Sequence, residues 1–186
     1  SHFDKNTIWA GTDDGNVQIT RDGGENWTNL SPKIKGMPEG SWVAQIQAST
    51  HREGEAYVMV NNYRQFDFMP YLFRTRNYGK SWERLLSDKA DTFGYVHALV
   101  QDPVEPKLLF LGTENGLYIS IDEGANWTKW KNGFPTVPTQ DLVIQPREHD
   151  LVIGTFGRAA WVLDDIRPLR ALANGNVLHK KLQLFT

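Results

Sequence analysis

The sequence predicts an all-β chain built as a partial β-propeller, with about 3.5–4 blades of four antiparallel strands each. Three observations carry that expectation. An eight-residue box occurs three times, as TRDGGENW at 20–27, TRNYGKSW at 75–82 and SIDEGANW at 120–127. Each copy reads Ser or Thr, any residue, Asp or Asn, any residue, Gly, two residues, Trp. A strand, a Gly-Thr step, a turn and a second strand precede two of the boxes, as TIWAGTDDGNVQI and LLFLGTENGLYIS, and recur without a box as LVIGTFGRAAWVLDD at 151–165. The box tryptophans lie 55 and 45 positions apart, close to the roughly 40–50 residue period of propeller blades.

The elements follow in order from apolar alternation and turn residues. The blades are expected at about 7–35, 42–86, 95–131 and 140–165. The first unit begins at its second strand, Ile8 to Gly11. The second gives strands at 42–49, 56–61, 71–76 and 82–86, with a long insertion, NNYRQFDFMP, at the turn where the other units are short. The third gives 96–101, 108–111, 117–120 and 127–131, and the fourth 141–145, 150–154 and 160–164. The remainder, 166–186, reads as a short helix from Pro168 to Asn174, stopped by Gly175, and a closing strand from Val177 to Phe185.

The box itself reads as structure. Its Asp or Asn accepts hydrogen bonds from amides of its own turn, and Gly24, Gly79 and Gly124 supply the positive φ. Thr20, Asp22 and Trp27 make the first copy, Thr75, Asn77 and Trp82 the second, and Ser120, Asp122 and Trp127 the third. Asn77 stands where the other copies have a carboxylate, which argues against chemistry that needs the charge. None of the three has the alternating acids and terminal Glu of an EF-hand loop. The sequons at Asn26 and Asn126 fall inside the boxes and read as coincidence.

Composition removes several classes of function. The net charge is −2 over 186 residues with no basic cluster, so nucleic acid is not an expected partner. Cysteine is absent, which excludes disulfides, thiolate metal sites and a cysteine nucleophile. No apolar run reaches the roughly 20 residues of a spanning helix, and SHFDKNTIWAG lacks the pattern of a secretion signal. No cofactor, metal or catalytic residue is expected.

The boxes and their flanks resemble the Asp-box (BNR) repeats of sialidases and sortilin-type ectodomains. IWAGTDDG, ITRDGGENWTNLSP, PYLFRTRNYGKSW, LLFLGTENGLYIS and DLVIGTFGRAAWVLDDIRPLR are most similar to C-terminal propeller repeats of large bacterial sortilin-like or BNR-repeat glycosyl hydrolases. The resemblance runs from about Thr7 to Leu172. It implies a longer parent protein, secreted or periplasmic. One departure stands out: the group's Thr-His-Gly-Arg-Gly step is Thr155-Phe156-Gly157-Arg158-Ala159 here. A sialidase's arginine cluster and Tyr–Glu pair have no identifiable counterpart.

Blade topology points to the face opposite the boxes as the ligand face. It collects Asp13, Asp14, Tyr63, Arg64, Asp67, Glu114, Asn115, Phe156 and Arg158, with Trp42, Tyr95 and His97 at the starts of inner strands. Such a mixture suits a carbohydrate or a peptide, through bidentate contacts and stacking. Arg158 is the leading candidate. The plainer reading makes Asp13, Asp14 and Glu114 ordinary turn residues, and His97 a satisfied strand residue. Two functions remain open: a non-catalytic recognition and scaffold module, which the retained boxes favour, and a fragment of a glycoside hydrolase. Open terminal blades also lead us to expect association with further blades or with a second copy, unless 177–185 closes a compact four-blade ring.

Overall fold

The computed structural model describes residues 1–86 and 93–175. Fourteen strands among them pair into four antiparallel sheets, each a simple meander. Sheet one is β1 (Ile8–Gly11), β2 (Val17–Thr20) and β3 (Thr28–Asn29). Sheet two is β4 (Trp42–Ala48), β5 (Ala56–Asn61), β6 (Tyr71–Thr75) and β7 (Glu83–Arg84). Sheet three is β8 (Val96–Gln101), β9 (Leu109–Thr113), β10 (Gly116–Ser120) and β11 (Thr128–Lys129). Sheet four is β12 (Thr139–Gln145), β13 (Asp150–Thr155) and β14 (Ala160–Leu163), and helix α1 (Arg167–Ala173) follows. The expected closing strand at 177–185 lies outside the described residues.

The chain divides into two compact units, one ending at Ala98 and the other beginning at Leu99. In the first, Val17, Ile19, Val43, Val58, Val60 and Phe73 form one buried cluster, with Trp9, Ile46 and Trp82 packed against it. Sheets one and two approach closely because β1 ends in Gly11. A Cβ there would run into the Val43 side chain, and the Val43 amide donates to the Thr12 carbonyl at 3.1 Å. In the second unit β9 is wholly buried. Gly112 plays the part of Gly11: an added Cβ would lie 2.5 Å from the Thr139 carbonyl oxygen. The strand-two glycine of the Gly-Thr step therefore admits the first strand of the next sheet.

Outer strands are shorter than expected. Only two residues pair in β3, β7 and β11, followed by one further backbone bond from Leu30 to Val17, Leu85 to Leu72 and Trp130 to Leu117. Beyond that bond the chain leaves the sheet, in the first case into a 3-10 turn over Ser31–Lys33. The box tryptophans precede these strands rather than starting them. Trp27 is 42% exposed, so the first copy does not bury its indole among the described residues.

All three boxes close the hairpin between a sheet's last long strand and its two-residue outer strand with one hydrogen-bond scheme. The hydroxyl of Thr20, Thr75 or Ser120 accepts the amide of Gly24, Gly79 or Gly124 at 3.0, 2.9 and 2.8 Å. The same hydroxyl donates to Asp22, Asn77 or Asp122, whose Oδ1 accepts the amide of Asn26, Ser81 or Asn126 at 2.9 Å. Two successive residues are left-handed: Gly23 and Gly24, Tyr78 and Gly79, Glu123 and Gly124. The first of each pair donates its amide to the carbonyl just before strand two, at Asn6, Gly54 and Lys107, which pins the turn to its own sheet. The Asn26 amide of the bonded pair holds Asp22 at a pKa of about 2, with the Thr20 hydroxyl and the Asn26 side chain adding to it. At Asp122 burial opposes the charge but is outweighed by the Asn126 side chain and amide, so its pKa is lowered too. The Asn26 and Asn126 side chains donate to these carboxylates at 2.8 Å.

Sheet four has no box. There the Ile166 amide donates to the His149 carbonyl at 2.8 Å, and α1 is fixed by a buried ion pair. Arg170 donates to both carboxylate oxygens of the fully buried Asp102, at 2.8–3.1 Å, and to His149 Nδ1 at 2.9 Å.

Candidate ligand-binding site

The insertion between β5 and β6 places its aromatic side chains outward. Tyr63–Gln65 make a 3-10 turn, and Phe66 follows with φ 59, a conformation rare for a bulky residue. Asp67 holds the loop from inside. Its Oδ2 accepts the Asn62 side chain at 2.9 Å and the Tyr71 hydroxyl at 2.7 Å, while Oδ1 accepts the Met69 amide at 3.1 Å. Partial burial opposes its charge, and these bonds outweigh that, leaving the pKa lowered. With the polar groups consumed internally, Phe66, Phe68 and Tyr63 are 88%, 50% and 39% exposed.

Two of those rings, Tyr63 and Phe68, form a platform with Tyr95. Tyr63 stacks on Tyr95 at 5.4 Å and 23°, Phe68 lies 6.2 Å from Tyr95, and Tyr95 meets His97 edge-on at 4.9 Å. Beside it Arg64 pairs with Asp13 at 3.3 Å and lies 5.4 Å over the Trp42 ring. Asp14, on the same turn as Asp13, is held ionised by the Thr12 hydroxyl and the Asn16 side chain. It lines a cleft of about 450 Å³ with Asn16, Asn29, Ile34, Met37 and Glu39.

The sequence candidates thus fall into two places. In the first unit Asp13 pairs with Arg64, and Tyr63, Tyr95 and His97 come together beside that pair. Asp67 belongs to the loop's interior rather than to a ligand-facing surface, because its partners Asn62 and Tyr71 lie across the loop. Phe66 and Phe68 were not singled out by sequence, although two apolar rings between polar residues in a turn are the signal of exposed aromatics. In the second unit Phe156 is 73% exposed and Arg158 is exposed beside it. The turn that carries them is left-handed at Gly157 and Ala159. The Arg158 carbonyl accepts the Trp161 indole N–H at 2.9 Å, and Phe134 meets Trp161 edge-on at 5.6 Å. Glu114 is half-buried on the β9–β10 turn with Asn115.

Rings present flat apolar faces, and the Arg64–Asp13 pair offers donors and acceptors at their edge. A glycosidase's general acid has a raised pKa, whereas Asp14 and Asp67 are both lowered. Among the described residues no group of three or more His, Cys, Asp or Glu is placed to hold a metal ion, and no helix is long and apolar enough to cross a membrane.

No protein-family model matches the chain. One curated relative is an oligoxyloglucan-reducing end-specific xyloglucanase of Emericella nidulans, 27% identical over 128 residues, which are 62% of this chain and 14% of that protein. The GH74 xyloglucanase of Xanthomonas campestris superposes with a TM-score of 0.69 at 19% identity, over 88% of this chain and 28% of that one. YCF48 bound to D1 peptide superposes at 0.62 and 16% identity, over 87% and 49%. The computationally designed Ika4 protein superposes at 0.57 and 12%, over 88% of both chains. The four sheets are thus β-propeller blades. The chain spans about a seventh of the xyloglucanase it matches in sequence and less than half of YCF48.

Proposed function

We propose that the three boxes are Asp-box repeats and that this chain contributes blades to a larger glycoside hydrolase of the xyloglucanase type. Within it, the Tyr63–Phe68–Tyr95 platform binds the glycan chain. One observation carries the binding role: three exposed rings of a single loop, held outward by the Asp67 clamp beside an Arg–Asp pair. The hydrolase parentage rests on the xyloglucanase relative and GH74 neighbours, and it displaces the non-catalytic scaffold as the better-supported whole. The acids of this platform are engaged in pairing or clamping, so hydrolysis would draw its acid and base from elsewhere. Arg158 and Phe156 form a second, smaller contact of the same kind.

The test is calorimetric titration of the chain with xyloglucan oligosaccharides, beside cello-oligosaccharides and a reducing-sugar assay for turnover. Binding without turnover is the expected result. Turnover abolished by Asp13→Asn or Asp14→Asn would overturn the non-catalytic role of these blades. A peptide ligand is the second reading, favoured by the YCF48 neighbour, whose structure holds one. A ligand that binds through backbone amides rather than ring faces would be insensitive to loss of Tyr63.

A further inference from the structure

The cleft that Asp14 lines is built differently from the aromatic platform, and no ring of the platform lines it. Its polar side is one chain of hydrogen bonds. The Thr12 hydroxyl and the Asn16 side chain both donate to Asp14 Oδ1, the latter at 3.0 Å. Asn29 donates to Asn16 Oδ1 at 2.8 Å, and the Ser31 amide donates to Asn29 Oδ1 at 2.9 Å. The Ser31 hydroxyl returns to the first turn, donating to the Gly15 carbonyl at 2.8 Å and accepting the Val17 amide at 2.7 Å. Asp14 Oδ2 and the second hydrogen of each asparagine amide take no part in this chain. One acceptor and two donors of fixed position therefore remain for a ligand. The other lining is aliphatic, from Ile34, Met37 and Pro38, with Ile34 anchored in the buried cluster of the first unit.

We propose that this cleft is a second binding site, separate from the platform, for a single uncharged sugar ring, and that its carboxylates turn acidic sugars away. Sugar hydroxyls both donate and accept, which matches the mixed polar wall. The ring's C–H groups match the aliphatic lining, where a flat aromatic ligand would find no ring to stack on. The volume of about 450 Å³ lies within the roughly 300–1,000 Å³ of small-ligand sites. Charge sets the selectivity. Asp14 is held ionised by its two donors, and Glu39 adds a second carboxylate to the lining, which contains no Lys, Arg or His. Arg64 is already paired with Asp13. A uronic acid would bring a third carboxylate with no cation to meet it.

Amide NMR of the whole chain, titrated with glucose, xylose and glucuronate, tests this. The side-chain amide signals of Asn16 and Asn29 should move saturably with a neutral sugar. Glucuronate should bind about tenfold more weakly. Asp14→Asn/Glu39→Gln keeps the shape of the wall and should remove that difference, while Tyr63→Ala/Phe68→Ala should leave the shifts unchanged. Backbone signals of Val17 and Ser31 report whether each variant keeps the turn. No shift with either neutral sugar overturns the proposal, as does a wild type that takes glucuronate equally well. Loss of the shifts in the platform variant also overturns it, since the sugar would then lie on the rings.

Discussion

Asn77 donates its side-chain amide to the Ser81 hydroxyl at 2.8 Å, reversing the bond in which Asp22 and Asp122 accept the amides of Asn26 and Asn126. The second box has exchanged both partners at once, acceptor for donor and donor for acceptor. Its turn amides are bonded as in the other copies. The box needs a carbonyl-type oxygen at its third position, and the charge is a local variation.

Asp122→Ala should therefore cost about 1–3 kcal/mol, since the Asn126 amide loses its acceptor. Asp122→Asn should cost less, and adding Asn126→Ser should recover part of that loss by recreating the second box's pair. Urea unfolding of the three variants checks the order. Equal losses from Asp122→Ala and Asp122→Asn would make the charge itself the requirement.

The lowered carboxylates set an acid limit. Asp22 falls from the ordinary 3.8 to about 2, and Asp122 is lowered as well. Folding favours their ionised forms, so the contribution is complete above 3.8 and disappears as the pH falls toward the folded values. The unfolding midpoint should be flat from pH 7 to 5 in this respect and drop below 4. An Asp22→Asn/Asp122→Asn variant should show a shallower drop, measured as midpoint against pH.

Glycine substitution should separate covered from open sheet faces. Gly112→Ala forces a methyl against the Thr139 carbonyl oxygen and should cost about 1–3 kcal/mol by overpacking. Gly154→Ala at the matching position of β13 meets nothing closer than 3.5 Å and should be near neutral. Thermal unfolding of the two single variants decides the point.

Removing one partner of the Arg170–Asp102 pair should be severe. Asp102 is fully buried and Arg170 nearly so, so Arg170→Met leaves an uncompensated buried charge, worth about 3–5 kcal/mol. Hydrogen exchange should show α1 opening first. An apolar replacement of both partners should restore much of the loss, which is read from the same denaturation curves.

Much of this architecture was legible in the sequence because it repeats. The box spacing, the Gly-Thr step and the apolar alternation located four sheets, and the strand-two ranges 8–11 and 56–61 agree with β1 and β5. What stayed hidden depends on partners distant along the chain. Nothing local shows that Tyr78 and Glu123 are left-handed, since their anchoring carbonyls, Gly54 and Lys107, lie well upstream. Asp67 reads as a ligand-facing acid until Tyr71 closes over it. Arg170 and Asp102 are 68 residues apart, beyond any periodicity. Phe66 and Phe68 read as part of an insertion, and only burial shows that their rings face water.

The most direct test of the glycan-binding claim is titration of a xyloglucan oligosaccharide into the wild-type chain and a Tyr63→Ala/Phe68→Ala variant. Both rings are exposed, so the variant should unfold at the wild-type temperature. Stripping two stacking faces should weaken binding about tenfold or more, equivalent to about 1.4 kcal/mol. Saturable wild-type binding that fades in the variant is the predicted result; no binding by the wild type, or equal binding by both proteins, would contradict it.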